Sequence, residues 1–258
     1  MPKVDEKVYL LLDAGGTLVF PDFPFFAHLV NEITGRIPSV AELHRAFLHA
    51  THSLDVLLGR ALAGEPVPYD ADYFIYREML RRITVPPEAI EQILREVEEI
   101  NLTRNIWTFT GNWVVPALKE LAAAGYRMSV VSNSDGRVEA VLKNAGLRDF
   151  FDLVIDSAVE GFAKPDPRLF RRALSRLGLA PTQALYVGDF YHIDVLGANR
   201  AQVAALQLDG EGLAEAEGWP GRRVPNLSAL PGLLAESGLD LDDPSWHPFP
   251  PDPPEAIL

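Results

Sequence analysis

Val8-Tyr9-Leu10-Leu11-Leu12-Asp13-Ala14-Gly15-Gly16-Thr17 is the stretch whose reading decides the fold. Its apolar run has the look of a strand, and the Gly-rich turn ends it at once. In an open parallel α/β sheet ligands bind beyond the carboxyl ends of the strands, so an acid at that end is presented to substrate by geometry alone. The glycines let a phosphate or a metal come close to the backbone. An acid before such a turn also serves as a plain cap for the next element, so the weight rests on what lies downstream.

Working outward, Met128 to Val131, Leu153 to Ile155, Leu185 to Val187 and Ala204 to Leu208 read as further strands. Between them, Pro116 to Ala124, Val138 to Asn144, Pro167 to Leu177 and Asp194 to Ala201 carry apolar residues at helical spacing, with Gly125, Gly146 and Gly178 as stops. Repeated βα units imply an α/β fold with a Rossmann-like, doubly wound parallel sheet. From Pro21 to about Asn105 the strand signals vanish and helical stretches follow one another: Ala41 to Leu58, Tyr73 to Ile83 and Pro87 to Asn101. The expected organisation is a core of residues 1–20 and 105–240, an inserted all-helical cap of residues 21–104 placed where a lid would sit, and a Pro-rich tail of residues 241–258.

Composition bounds the function. The chain has 258 residues, a formal charge of -13 and no cysteine. An acidic protein lacks the clustered Lys and Arg that displace counterions from phosphate backbones, so nucleic acid is not an expected partner. Without cysteine, disulfides and thiolate metal sites are excluded, and a metal must use oxygen or imidazole. No run of about 18 apolar residues occurs, and the opening residues mix charges ahead of a short apolar run. The expectation is a cytoplasmic protein without a membrane partner.

Three further sites fall at strand ends. Ser132-Asn133 offers a hydroxyl and an amide that could hold an anionic oxygen. Lys164 lies in Gly161-Phe162-Ala163-Lys164-Pro165-Asp166-Pro167, where prolines stiffen the loop ahead of a helix and hold the ammonium in place. Gly188-Asp189-Phe190-Tyr191-His192-Ile193-Asp194 supplies two carboxylates across a tight loop, suited to a hard cation with oxygen ligands. Each motif alone has a bland reading as turn, solvated lysine or helix cap. Their order along one βα series makes them converge on one crevice.

With these residues in hand, the chain resembles the haloacid dehalogenase superfamily, whose motifs run Asp-x-Asp-Gly-Thr, then Ser or Thr, then Lys-Pro, then Gly-Asp with a second Asp. The resemblance covers Val8 to Val19 and Asn105 to about Asp209, and the helical insertion takes the place of that superfamily's small helical cap. It implies that Asp13 attacks an electrophilic centre and forms a covalent aspartyl intermediate, which water releases. It further implies that Ser132, with Asn133 beside it, and Lys164 hold phosphoryl oxygens. Mg²⁺ would be held by Asp13, the Gly15 carbonyl and Asp189, with Asp194 completing the acidic set by orienting water or Lys164. The implied substrate is a small phosphorylated metabolite.

One departure matters: the superfamily's phosphatases carry a second Asp two residues after the nucleophile, where this chain has Gly15. That side chain protonates the leaving group and activates water, a contribution of roughly 10² to 10⁴ in rate. A 2-haloacid dehalogenase also lacks this acid, but replaces Gly-Asp with Ser and Asn, which Gly188-Asp189 contradicts. Phosphonate-cleaving members need a cap lysine, and Pro21 to Arg104 contains none. The expectation is therefore a metal-dependent phosphoryl hydrolase favouring leaving groups that depart without a proton. The competing reading is a degenerate member that binds a ligand or protein without turnover.

The remaining candidates are weaker. His192 sits in the metal loop, and His44, Leu48 and His52 share one helical face that resembles a metal comb but reads better as a polar face. Arg36, Arg45, Arg60 and Arg77 are the insertion's better anion-binding candidates. The tail, with six prolines from Pro244 to Pro254 beside Trp246 and Phe249, is expected as extended polyproline-like chain laid against an apolar groove of its own or a neighbouring subunit. A homodimer is the partner expected from the latter arrangement.

Overall fold

The computed structural model describes residues 7–66, 73–235 and 240–252. It divides into two compact units, Met1–Val19 with Thr110–Leu258, and Phe20–Phe109.

The first unit is built on six parallel strands: β1 (Tyr9–Leu12), β4 (Met128–Ser132), β5 (Val154–Asp156), β6 (Ala184–Gly188), β7 (Ala204–Leu208) and β8 (Arg222–Val224). Their order in the sheet is β5-β4-β1-β6-β7-β8. The chain winds outward from β1 to β5 on one side and from β6 to β8 on the other, which places a topological switch point between β1 and β6. Register brings the two ends together: Leu12 pairs with Val187, and the Asp13 N–H donates to the Val187 carbonyl at 2.9 Å. Val138–Asn144 and Pro167–Leu177 are helices over the spans their sequence pattern implies. The latter is capped by the Asp166 carboxylate at its start and by left-handed Gly178 at its end. Its buried face, Leu169, Phe170, Ala173 and Leu174, packs against Leu11, Val131, Ile155 and Tyr186 of the sheet.

The second unit holds β2 (Phe20–Pro21) and β3 (Trp107–Phe109), paired antiparallel, and four helices, α1 (Phe23–Thr34), α2 (Val40–Leu62), α3 (Phe74–Arg82) and α4 (Pro87–Thr103). Helix α1 falls within the stretch expected to be helical, where the sequence pattern alone does not delimit it. Asp22 caps it by accepting from the Phe25 N–H at 3.0 Å, and Pro24 stands in its first turn, where a missing N–H costs nothing. Phe23 is fully buried against Phe47 and Phe26 against Tyr76, each burial contributing about 1.5 to 3 kcal/mol.

The C-terminal segment departs from the extended chain expected of it. Pro244–Trp246 forms a 3₁₀ turn capped by Asp243, and Trp246 is fully buried. The Asn199 amide donates to the Trp246 carbonyl and accepts from the Phe249 N–H, tying the segment to its own chain. Pro253 and Pro254 lie outside the described residues. Among the described residues no helix is long and apolar enough to cross a membrane.

Candidate active site

Asp13 directly follows β1 and is 6% exposed. Lys164 arrives from the loop before the helix Pro167–Leu177, and its ammonium donates to Asp13 Oδ1 at 2.7 Å, Asp194 Oδ1 at 2.7 Å and the Tyr186 hydroxyl at 2.8 Å. Asp13, Asp189 and Asp194 each offer an oxygen, all within 4.8 Å of one another. Three separate stretches of the chain, carrying Asp13, Lys164 and the pair Asp189 and Asp194, therefore meet at the carboxyl ends of β1 and β6.

Local backbone explains how so much charge fits. Gly16 has φ +75°, and a Cβ there would lie 2.2 Å from Asp189 Oδ2, so only glycine allows that carboxylate its place. A Cβ on Gly188 would lie 2.4 Å from Asp194 Oδ2. Tyr191–Val195 closes the loop as a single π-helical turn, a form found often at functional sites. This turn, followed by Leu196–Arg200, replaces the plain helix expected from Asp194. Behind it, Tyr191 stacks on Trp219 at 4.9 Å and meets Phe249 at 4.8 Å.

The electrostatics are those of anions held against their preference. Burial, reinforced by the Asp194 charge and only partly offset by Lys164, pushes the Asp13 carboxyl up to about 6. Burial and the charges of Asp194 and Asp13 raise Asp189 well above the ordinary carboxylate range. Burial opposes the charge on Lys164, but the carboxylates of Asp13 and Asp194 outweigh it and hold its ammonium above the usual lysine value. One lysine thus serves three crowded acids.

The three acids differ in what they have left to offer. Asp194 Oδ1 accepts from Lys164 and lies 3.0 Å from the Tyr186 hydroxyl, while Oδ2 accepts from the Phe190 N–H. Both of its oxygens have protein partners. Asp189 Oδ1 is buried and has no hydrogen-bond partner. Thr17 Oγ1 and Gln207 Oε1 are likewise buried and unpartnered, and Gln207 donates through its amide to the Asp189 carbonyl at 3.2 Å. An orphaned carboxylate oxygen beside other all-oxygen donors fits a hard divalent cation.

Ser132 ends β4, is 3% exposed and has a single long contact, from its hydroxyl to the Asn133 carbonyl at 3.5 Å. Asn133 is occupied differently from the anion-holding amide expected of it. Its Oδ1 accepts from the Lys164 N–H at 2.8 Å and its amide donates to the Lys164 carbonyl at 2.9 Å, clamping that residue's backbone. Gly15, two residues after Asp13, has no positive φ and forms a β-bridge with Val19.

Sequence reasoning passed over Tyr186, Gln207 and the pair Asp156-Ser157. The Asp156 carboxylate accepts from the N–H groups of Gly136, Val138 and Ala158, and Ser157 is bonded to both the N–H and the carbonyl of Ser134. Together they pin the loop after Ser132. The signal was available, since Asp156 ends a strand just as Asp13 does.

In the helical unit, Arg36 pairs with Glu42, Arg60 with Glu65 and Arg77 with Glu91. His44 packs edge-on against Phe20 at 5.2 Å. Among the described residues, the histidines of α2 form no group of metal-ligand geometry. His192 packs against Trp219 at 4.8 Å.

Residues 9–202 match the model of the haloacid dehalogenase-like hydrolase family. The chain belongs to this family. Among relatives of the haloacid dehalogenase-like hydrolases, the chain is 46% identical over 93 residues to haloacid dehalogenase-like hydrolase domain-containing protein 3 of Mus musculus, covering 36% of this chain and 37% of that one. Glyceraldehyde 3-phosphate phosphatase of Methanothermobacter thermautotrophicus is 38% identical over 102 residues, 39% of this chain and 44% of the other. Phosphoserine phosphatase of Thermus thermophilus is 39% identical over 122 residues, 46% and 48% of the two. The matched part is thus less than half of each relative. Among solved structures, a phosphatase of the family from Thermococcus onnurineus aligns with TM-score 0.53 at 22% identity, over 89% of this chain and 98% of the other. L-2-haloacid dehalogenase from Xanthobacter autotrophicus aligns with TM-score 0.54 at 19% identity, over 90% and 100%. The fold is shared with both kinds of enzyme.

Proposed function

We propose that the protein is a divalent-metal-dependent phosphoryl hydrolase acting on small phosphorylated molecules through an aspartyl-phosphate at Asp13. The observation that carries this reading is the orphaned Asp189 oxygen within a cluster of three acids and one ammonium. A carbon-halogen hydrolase has no use for a cation site, so the donor set favours phosphoryl transfer where the fold alone does not. The two relatives named as phosphatases point the same way.

Asp13 attacks phosphorus, the bond from phosphorus to the leaving oxygen breaks, and that oxygen departs with its electron pair. Water then adds to phosphorus, releasing phosphate and restoring the Asp13 carboxylate. Asp13, the Gly15 carbonyl and Asp189 are the residues to hold Mg²⁺, with Asp194 acting through Lys164 or a water. The cation supplies neutralisation of the charge that gathers on the phosphoryl oxygens. Ser132 orients those oxygens, Lys164 lends its positive charge beside them while bonded to Asp13, and Asn133 fixes the Lys164 backbone. The core of residues 1–20 and 105–240 carries these groups, and the helical cap of residues 21–104 selects the substrate.

Gly15 offers no proton to the leaving group, so acyl and aryl phosphates are the preferred substrates and alkyl phosphates poor ones. A panel of aryl, acyl and sugar phosphates with Mg²⁺, run beside Asp13→Asn, tests this. Aryl and acyl esters should turn over fastest, and Asp13→Asn should lose at least about 10⁴-fold. Equal rates for sugar and aryl phosphates would show that another group donates the proton. Ligand binding without turnover of any ester would favour the degenerate binder.

A further inference from the structure

Lysine has a flexible four-carbon stem, yet Lys164 must hold one orientation inside a crowd of acids. An ammonium carries three protons, and here each has an acceptor: Asp13, Asp194 and the Tyr186 hydroxyl. The hydroxyl, having accepted from Lys164, keeps one proton of its own, with the Val131 carbonyl and Asp194 Oδ1 both at 3.0 Å to receive it. Tyr186 is itself set by the sheet. It stands on β6 in register with Leu11, is fully buried, and meets Phe170 edge-to-face at 4.9 Å. Gly197 lies behind that ring, where a Cβ would come within 2.6 Å of Phe170.

We propose that Tyr186 is a positioning residue whose hydroxyl sets the rotation of the Lys164 ammonium, so that its other two protons stay on Asp13 and Asp194. Two carboxylates alone leave the third N–H buried without an acceptor, a costly state that the ammonium relieves by turning toward other oxygens. That turn takes its bond with Asp13 out of line. The catalytic consequence rests on the phosphoryl-transfer reading above; the structural one does not.

Tyr186→Phe keeps the ring and removes only the hydroxyl. In the full-length protein, ¹H–¹⁵N spectra of lysine ammonium groups should show one slowly exchanging signal, assigned by its loss in Lys164→Met. Tyr186→Phe should accelerate that exchange, and lower kcat for an aryl phosphate with Mg²⁺, by roughly tenfold or more with KM little changed. Rates are taken per folded chain. Phe170→Leu removes the ring contact but leaves Tyr186 on β6 with its hydroxyl bonded to Lys164, so the slow exchange and kcat should both be retained. Exchange and kcat within twofold of the parent in Tyr186→Phe overturn the proposal, as does an equal loss in Phe170→Leu. If the parent hydrolyses no phosphate ester, the phosphatase reading falls and the ammonium exchange still decides the role of Tyr186.

Discussion

The two ends of the parallel sheet carry similar chemistry and use it in opposite ways. At the amino-terminal edge the Tyr9 hydroxyl lies 2.7 Å from Ser129 Oγ and 2.7 Å from Asp152, Arg127 pairs with Asp152 at 3.0 Å, and Ser129 Oγ accepts from the Leu153 N–H. The Tyr9 hydroxyl and Ser129 Oγ both have partners there. At the carboxyl edge three acids crowd one lysine, two of them pushed well above their ordinary range, and one carboxylate oxygen has no partner at all. Hydroxyls whose bonds are met stabilise a fold; a network that holds charge at a cost and leaves an acceptor open is fitted to receive something.

The largest expected effect sharpens the catalytic side of this contrast. Gly15 has no positive φ, so its backbone conformation does not by itself demand glycine. Gly15→Asp should raise kcat for alkyl phosphates by about 10² or more by restoring a proton donor, with a smaller gain for aryl phosphates. Steady-state rates on the two ester classes check it, and equal gains would mean that the missing acid is not what limits the enzyme.

Next is the cost of charge at Asp13. Its carboxyl is raised from 3.8 to about 6, so the folded protein holds that proton more tightly than the unfolded chain does. Its contribution to stability is therefore full below pH 3.8 and is lost as pH rises to 6, about 3 kcal/mol in all. In metal-free buffer, the stability of the parent minus that of Asp13→Asn should fall by roughly that amount between about pH 4 and 6.5. Urea unfolding at several pH values measures it, and a difference that rises with pH would break the contrast between the two edges.

The smallest effect belongs to the satisfied edge. Tyr9→Phe should cost about 1 kcal/mol of stability and leave kcat unchanged. A loss of turnover without a loss of stability would mean that this network too serves the reaction.

Much of the core could be read from the chain because its signals are local. Short apolar runs ending in Asp13, Ser132 and Asp189 mark central strands, and strand order then brings their ends together. What escaped is instructive. Arg222–Val224 is a short, charged edge strand, the kind that carries no apolar signature. Helix α1 hides its start in Phe23-Pro24-Phe25-Phe26, where proline reads as a breaker unless it is seen as a first-turn residue. The π turn that carries Asp194 has no sequence pattern of its own. Tyr186 was invisible as a functional residue because an aromatic in an apolar strand ordinarily fills core, and only the position of Lys164 gives its hydroxyl a task. Asn133 was placed at the right strand end but assigned to a ligand, since spacing says nothing about where an amide turns.

The account depends on the carboxyl edge being a cation site, and isothermal titration of Mg²⁺ into the metal-free protein tests that directly. One ion per chain should bind, Asp189→Asn should abolish the binding heat, and Tyr9→Phe should leave it intact. An unchanged isotherm in Asp189→Asn, or no binding by the parent at millimolar Mg²⁺, would contradict it.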